Sequence, residues 1–99
     1  MDTEFSFEWD EEKDRDNQMK HGVSFEEAMA IFSDSRRVEF FDSKHSFLEE
    51  RWKIFGMSGS IVYMVICTER NGNIRIISAR EASKFEEEDY FYGYSSKSS

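Results

Sequence analysis

Residues 61–68 form an almost unbroken run of apolar and β-branched side chains, which is typical of a strand in the middle of a sheet. Asn71 and Gly72 follow this run, and Asn-Gly is the strongest short-range signal for a two-residue hairpin loop. Residues 74–79 then form a second segment of strand type. The pattern predicts an antiparallel hairpin at the centre of the domain, against which the other elements must pack.

Weaker patterns place further elements around this hairpin. Apolar residues alternate at Phe5, Phe7 and Trp9, as in a half-buried strand. A capping box formed by Ser24 and Glu27 starts a helix with a clean apolar stripe. The remaining elements are helices over residues 11–20 and 81–92 and strands over residues 37–41 and 51–55. The order β-α-α-β-β-β-β-α predicts an α+β fold in which an antiparallel sheet has its helices packed on one face.

The first and last predicted helices differ in their apolar content. The helix over residues 11–20 has Met19 as its only large apolar side chain, so packing gives it little support. The helix over residues 81–92 has several apolar residues on one side, namely Ala82, Phe85 and Tyr92. We expect the aromatic residues at its end to close the core rather than to stack on nucleic-acid bases, namely Tyr90, Phe91 and Tyr92.

The length of 99 residues is enough for one domain. We expect this domain to occupy residues 1–94 and a disordered polar tail to occupy residues 95–99. The single cysteine, Cys67, excludes an intrachain disulfide and lies in an apolar run, as a small buried side chain would. No apolar stretch approaches the ~20 residues of a membrane helix, and the acidic N-terminus argues against a signal peptide. A cytoplasmic location is therefore expected.

The formal net charge of −8 argues against nucleic-acid binding, because phosphate binders usually carry a basic surplus. The distribution of the charge weakens this argument. Residues 1–16 have a net charge of −6 and residues 81–92 a net charge of −4, whereas residues 17–80 have a net charge of +1. Any phosphate binding must therefore depend on a local cluster of bases in the middle of the chain.

The hairpin register assigns side chains to the faces of the sheet. A loop at Asn71 and Gly72 pairs Thr68 with Arg75 and, further along, Tyr63 with Arg80. This register predicts that Arg80 lies on the core side, unless a β-bulge between Arg75 and Arg80 changes it.

The preceding hairpin loop is either Met57-Ser58 or Ser58-Gly59, and both choices give the same faces. One face is apolar and ready to receive the helices. The other combines three bases, Arg51, Lys53 and Arg75, with a few apolar groups. A face that bears arginine and lysine and that no helix covers is a suitable platform for RNA phosphates.

Two blocks of the sequence match a known pattern. The first runs from Phe7 to Ala28 as F-x-W-D-x-x-K-x-x-x-N-x-x-K-H-G-V-x-F-x-E-A. The second runs from Thr68 to Ala82 as T-E-R-x-x-x-I-R-I-I-S-A-R-x-A. Both blocks resemble those of the BrnT family of bacterial ribonuclease toxins, and the resemblance covers roughly residues 5–92.

The resemblance implies a fold similar to that of RelE-type ribonucleases and a role as the toxin of a type II toxin–antitoxin pair. It also implies a BrnA-like DNA-binding antitoxin as partner and RNA, such as mRNA, as substrate. The motif positions present in this chain are Trp9, Asp10, Lys13, Asn17, Lys20, His21, Gly22, Arg51, Arg75, Ser78 and Arg80. The acidic ends, especially residues 86–89, depart from what an RNA-binding protein would carry.

RNA cleavage without a metal needs a base for the 2′-hydroxyl, an acid for the leaving 5′-oxygen and cations for the phosphate. With the resemblance, these needs give a set of catalytic candidates: His21, Glu50, Arg51, Arg75 and Arg80. They also give a set of RNA-binding candidates: Lys13, Asn17, Lys20 and Lys53. Simpler interpretations remain open, because His21 could cap a helix end, the arginines could pair with nearby acids, and the lysines could form a solvated helix face.

The sequence contains no glycine-rich phosphate loop, no Cys-x-x-Cys and no His-x-x-x-His, so we expect neither a cofactor nor a metal. The first hypothesis is an endoribonuclease toxin. The alternative is a degenerate, non-catalytic toxin that only binds its antitoxin, which the acidic ends favour. A simple RNA-binding protein is a third option, and the pI of about 4.7 disfavours it.

Overall fold

The computed structural model describes residues 5–45 and 47–98. Within these ranges the chain forms five strands and three helices, in the following order: β1 (Phe7–Glu8), α1 (Glu11–His21), α2 (Phe25–Ala28), β2 (Val38–Phe41), β3 (Trp52–Ser58), β4 (Ile61–Arg70), β5 (Asn73–Glu81) and α3 (Lys84–Ser98). A 3₁₀ turn over Met29–Ser33 continues α2. The predicted division of the chain at residue 94 stays a prediction.

The sheet has the strand order β1-β5-β4-β3-β2. The strands β2 to β5 are antiparallel to their neighbours, whereas β1 runs parallel to β5 and pairs Phe7 with Ile74 and Glu8 with Arg75. The prediction of a fully antiparallel sheet is therefore wrong, because the sheet is mixed. The alternation at Phe5, Phe7 and Trp9 shows which side of a strand is buried, but it contains no information on the direction of the partner strand.

The two hairpin loops fix the register of the three central strands. The Asn71-Gly72 loop is confirmed, since Arg70 pairs with Asn73 and both loop residues have the positive φ of a type I′ turn. The other loop is Gly59-Ser60, one residue beyond the later of the two predicted positions. Because this shift preserves the pairing parity, Lys53 still lies on the face assigned to it.

A β-bulge in β5 changes the faces of its second half. Cys67 pairs with Ile76 but Ile66 pairs with Ser78, so Ile77 is an extra residue without a partner on β4. Tyr63 consequently pairs with Glu81 rather than with Arg80. The predicted position of Arg80 on the core side is wrong, because the bulge moves Arg80 to the opposite face.

Helices cover both faces of the sheet, which corrects the prediction of helices on one face. On the first face, α2 and its 3₁₀ extension bury their apolar residues against the central strands, where the buried residues are Phe25, Ala28, Ile31, Phe32, Ile54, Val65, Cys67, Ile76 and Ala79. On the second face, Tyr90 of α3 packs in a smaller cluster with Val38, Phe55, Val62 and Met64.

The packing side of α3 differs from the predicted one. Tyr90 is buried and closes this smaller core, as expected. Phe85 and Tyr92, which were expected to pack, are 80% and 69% exposed, and Phe91 is exposed as well. The Oη of Tyr90 donates a hydrogen bond to Oδ2 of Asp34 over 2.6 Å, and the same oxygen accepts a bond from the backbone N–H of Met57. This polar anchor fixes the side on which α3 faces the sheet.

Helix α1 is attached to the sheet by a polar side chain. Met19 is 87% exposed, whereas Asn17 is only 6% exposed. The Nδ2 of Asn17 donates to the carbonyl oxygens of Val23 (2.8 Å) and Ala79 (2.7 Å), and its Oδ1 accepts from the N–H of Ala79 (3.2 Å). The amide thus satisfies both backbone groups of Ala79 at the edge of β5, beyond the two residues that β1 pairs. Asn17 therefore fixes the position of α1 against β5.

We predict that Asn17→Ala lowers the free energy of unfolding by about 1–3 kcal/mol, because it leaves three buried backbone groups without partners. Urea unfolding measures the change. The matched control is Gln18→Ala, at an exposed position one residue along the same helix, with an expected change within about 0.5 kcal/mol. Equal stability of the two variants would contradict the role of Asn17.

Candidate functional site

Three residues of β5 point to the second face of the sheet. Arg75, Ser78 and Arg80 pair with Thr68, Ile66 and Met64 of β4, and directly paired residues share a face. In a regular strand Arg75 and Arg80 would lie on opposite faces. The bulge at Ile77 therefore brings both arginines to one face, about 13 Å apart along the strand and on either side of Ser78.

Arg80 is held by a carboxylate from α3. Its Nη1 and Nη2 donate to Oε1 and Oε2 of Glu86 over 2.7 and 2.9 Å, a bidentate pair. These bonds lower the pKa of Glu86 to about 2 and raise the pKa of Arg80. Glu86 also accepts from the N–H of Ser83, the residue that precedes α3. The pair therefore stays charged at neutral pH and fixes the plane of the Arg80 guanidinium.

Arg75 is held in a similar way by a carboxylate from β1. Its Nη1 donates to Oε2 of Glu8 over 2.8 Å, and Asn73 donates to Oε1 of the same group over 3.0 Å. The hydrogen bonds from Asn73 and Arg75 lower the pKa of Glu8. The charge of Arg75 also contributes to the lowered pKa of Asp10, after the two backbone hydrogen bonds that Asp10 accepts as the N-cap of α1.

A groove of about 280 Å³ separates α1 from the bulged part of β5. Its α1 wall contains Lys13, Asp16, Asn17, Lys20 and His21, and its β5 wall contains Ile77 and Ser78. We call this the α1–β5 groove. Residues that lie about 60 positions apart in the sequence thus meet at Ser78, where the groove joins the second face of the sheet.

The predicted site residues are only partly brought together. His21, Lys13 and Lys20 line the α1–β5 groove. Asn17 lines it too, but its amide is used by the backbone of Val23 and Ala79. In the structure Asn17 positions α1, and its role in binding RNA stays a prediction.

Lys53 lies across the sheet from Ser78, with Ile66 between them. It therefore shares the second face with Arg75 and Arg80, two strand spacings or about 10 Å from β5.

Arg51 and Glu50 lie just before β3, at a distance from the α1–β5 groove. Arg51 precedes β3 and forms an ion pair with Glu49 at 3.3 Å. Glu50 is exposed, and its backbone carbonyl accepts a 2.6 Å hydrogen bond from Oγ1 of Thr68. Neither residue lines the α1–β5 groove.

The two carboxylates that hold Arg75 and Arg80 are not predicted from the sequence. Glu8 lies 67 residues before Arg75 in the sequence, so no local pattern points to it. Glu86 lies six residues after Arg80, but the two residues belong to different elements, β5 and α3, so no helix or strand periodicity pairs them. One local feature of the sequence does indicate the bulge. Two consecutive isoleucines, Ile76 and Ile77, interrupt the alternation of β5 where the register shifts.

The chemistry available here is proton transfer and anion binding. The groove offers an imidazole, a carboxylate, two ammonium groups and a hydroxyl, and the adjoining face offers two guanidinium groups, which match phosphate oxygens in shape and charge. Cys67 takes no part, since it is buried and burial raises its pKa to about 12. Within residues 5–45 and 47–98, no helix is long and apolar enough to cross a membrane.

Comparison with known proteins agrees with the two sequence blocks. The sequence model of a family described as "Ribonuclease toxin, BrnT, of type II toxin-antitoxin system" matches residues 9–86 of the chain. No curated protein matches it. The matched region includes α1, the sheet from β2 to β5 and the Arg80–Glu86 pair. On this match, the chain belongs to the BrnT family of ribonuclease toxins of type II toxin–antitoxin systems.

Proposed function

We propose that this protein is an endoribonuclease that cleaves RNA, such as mRNA, without a metal and thereby inhibits translation. In this proposal it has a RelE-like fold, acts in the cytoplasm and is neutralised by a BrnA-like DNA-binding antitoxin. One observation carries the proposal: the bulge at Ile77 places Arg75, Ser78 and Arg80 on one face, beside a groove lined by His21 and two lysines. These residues come from both blocks of the family pattern.

The proposed reaction is an attack of the 2′-hydroxyl on the adjacent phosphorus. The 2′-oxygen bonds to phosphorus and forms a cyclic phosphate, and the bond from phosphorus to the 5′-oxygen breaks. A base accepts the proton of the 2′-hydroxyl, and an acid donates a proton to the leaving 5′-oxygen. The groove contains the His21 imidazole and the Asp16 carboxylate, and histidine is the side chain that most often transfers protons in enzymes. Glu8 and Glu86 are weak bases, since their pKa values are lowered. We therefore assign proton transfer to His21.

The cations have two tasks in this proposal. Arg75 and Arg80 stabilise the negative charge that develops on the phosphate, and Lys13, Lys20 and Lys53 bind phosphates along the RNA strand. Glu86 binds the two Nη atoms of Arg80, so the Nε side of the guanidinium keeps its donor for a phosphate oxygen. Glu50 and Arg51 remain predictions from the sequence, and no step is assigned to them.

A second candidate function is supported by the ion pairs themselves. Arg51, Arg75 and Arg80 each contact a carboxylate of the same chain, so a phosphate must compete with Glu49, Glu8 and Glu86. The net charge of −8 adds to this competition. Both features favour a degenerate toxin that binds its antitoxin without cleaving RNA.

We predict that Arg75→Ala and Arg80→Ala each slow RNA cleavage by at least about a hundredfold, the usual effect of removing a group that stabilises the transition state. The assay uses a fluorescent single-stranded RNA in EDTA. The control is Arg15→Ala, on an exposed part of α1 away from the stripe of Lys13, Asn17 and Lys20, and we expect it to keep the wild-type rate.

The same assay separates the two candidate functions. Cleavage that is equally fast in all three variants would refute the roles of Arg75 and Arg80. Intact RNA with the wild-type protein, together with tight antitoxin binding, would refute the enzyme and support the degenerate toxin.

We predict that His21→Ala lowers the cleavage rate by about 10²–10⁴-fold, because proton transfer loses its carrier. Imidazole added to the solution should restore part of the rate in His21→Ala and leave Arg80→Ala unchanged. Cleavage by His21→Ala at the wild-type rate would show that another group transfers the proton.

A further inference from the structure

A cleft of about 390 Å³ lies between β2 and α3 on the second face of the sheet. Phe40 and Phe55 form its apolar part, Glu86 and Asp89 come from α3, and Lys44 and Lys53 form the opposite wall. The cleft has no assigned role in cleavage, although Lys53 and Glu86 connect it to the proposed RNA surface.

Helix α3 presents an aromatic stripe beside this cleft. Phe85, Asp89 and Tyr92 are spaced i, i+4 and i+7 and therefore lie on one side of the helix, and Asp89 lines the cleft. The aromatic members of this stripe are the ones that were expected to pack and are largely exposed. Tyr90 is fixed by Asp34, so α3 cannot rotate the stripe into the core without breaking that bond.

Strand β2 supplies the other side of the cleft. It is the last strand in the sheet order, and within the described part of the chain no strand pairs with its outer edge. Phe40 remains 41% exposed even though its ring packs edge-on against Phe55 at 6.0 Å. Exposed aromatic side chains on an edge strand are a common cause of association, and proteins usually cover them.

The charges on α3 indicate what kind of partner fits. Residues 86–89 are four consecutive acids, and Glu86 is already neutralised by Arg80. Glu88 and Asp89 are exposed on the helix. A partner that places apolar side chains over Phe40, Phe85 and Tyr92 and basic side chains near Glu88 and Asp89 would complement both features. RNA would complement Glu88 and Asp89 less well, since its phosphates would approach these acids, although Lys44 and Lys53 of the cleft would attract them.

We propose that this β2–α3 surface, defined by Phe40, Phe85, Asp89 and Tyr92, binds a basic amphipathic segment of the antitoxin. The inference rests on the proposed function, because it names the surface through which the partner neutralises the toxin. A segment in the cleft would cover Lys53 and lie against the Arg80–Glu86 pair. Binding there would therefore keep RNA from the second face of the sheet.

The test uses the protein encoded by the open reading frame adjacent to the gene of this chain as the probe. Phe85→Ser and Asp89→Lys are each compared with a matched control, Met19→Ser for the exposed apolar residue and Glu26→Lys for the exposed acid. Calorimetry measures the dissociation constant of the probe, and the RNA assay measures cleavage with and without it. Circular dichroism checks that each variant is folded.

We expect each surface variant to weaken probe binding at least about tenfold, since buried aromatic contacts and complementary charges dominate such interfaces. The controls should bind like the wild type. All four variants should cleave RNA at the wild-type rate, and the probe should inhibit the two surface variants much less than the controls.

Three results would overturn the inference. Unchanged binding by Phe85→Ser and Asp89→Lys would place the antitoxin elsewhere, and slower cleavage with unchanged probe binding would assign the surface to RNA. An adjacent protein that does not bind the wild type would refute this partner. The proposed ribonuclease activity is tested separately, because it is refuted only if the wild-type protein alone leaves RNA intact.

Discussion

The extra residue in β5 determines which side chains lie on the second face of the sheet. Without the bulge at Ile77, alternation would place Arg80 on the face that the first two helices cover, where an unpaired guanidinium is costly. With the bulge, Arg75, Ser78 and Arg80 share one face. Asn17 binds both backbone groups of Ala79, two residues beyond the bulge, where β1 has already ended. Both halves of the proposed site therefore depend on this short stretch of β5.

The Asn17 amide also explains how a helix with almost no apolar surface keeps its place. In most amphipathic helices an apolar stripe fixes the orientation on the sheet. In α1 the fixed point is a single buried polar group, and the neighbouring positions on that side, Lys13 and Lys20, remain available to line the groove. A larger apolar stripe would stabilise the helix more, but it would take the positions of these cations.

The sequence alone predicted the features that depend on neighbouring residues. The Asn71-Gly72 loop, the register close to it and the capping box at Ser24 are all local, and all are confirmed. The parallel pairing of β1, the bulge and the packing side of α3 depend on contacts between distant segments. In α3, the periodicity of Phe85 and Tyr92 favoured the wrong side, because the bond from Tyr90 to Asp34 determines the orientation. Candidate residues could thus be named, whereas their grouping at Ser78 required the fold.

The composition presents the acidic ends of the chain as an obstacle to phosphate binding, whereas in the structure they supply partners for two arginines. Glu8 from the N-terminal end and Glu86 from the C-terminal end are the two carboxylates that hold the arginines of β5. Partly exposed ion pairs add little stability, typically about 0–1 kcal/mol, so their main effect here is on orientation. They restrict two long side chains to one side of the sheet. A phosphate that binds these side chains therefore costs less conformational entropy than one that must first order two free side chains. The acids whose charge argues against phosphate binding therefore also preorganise the cations that would bind it.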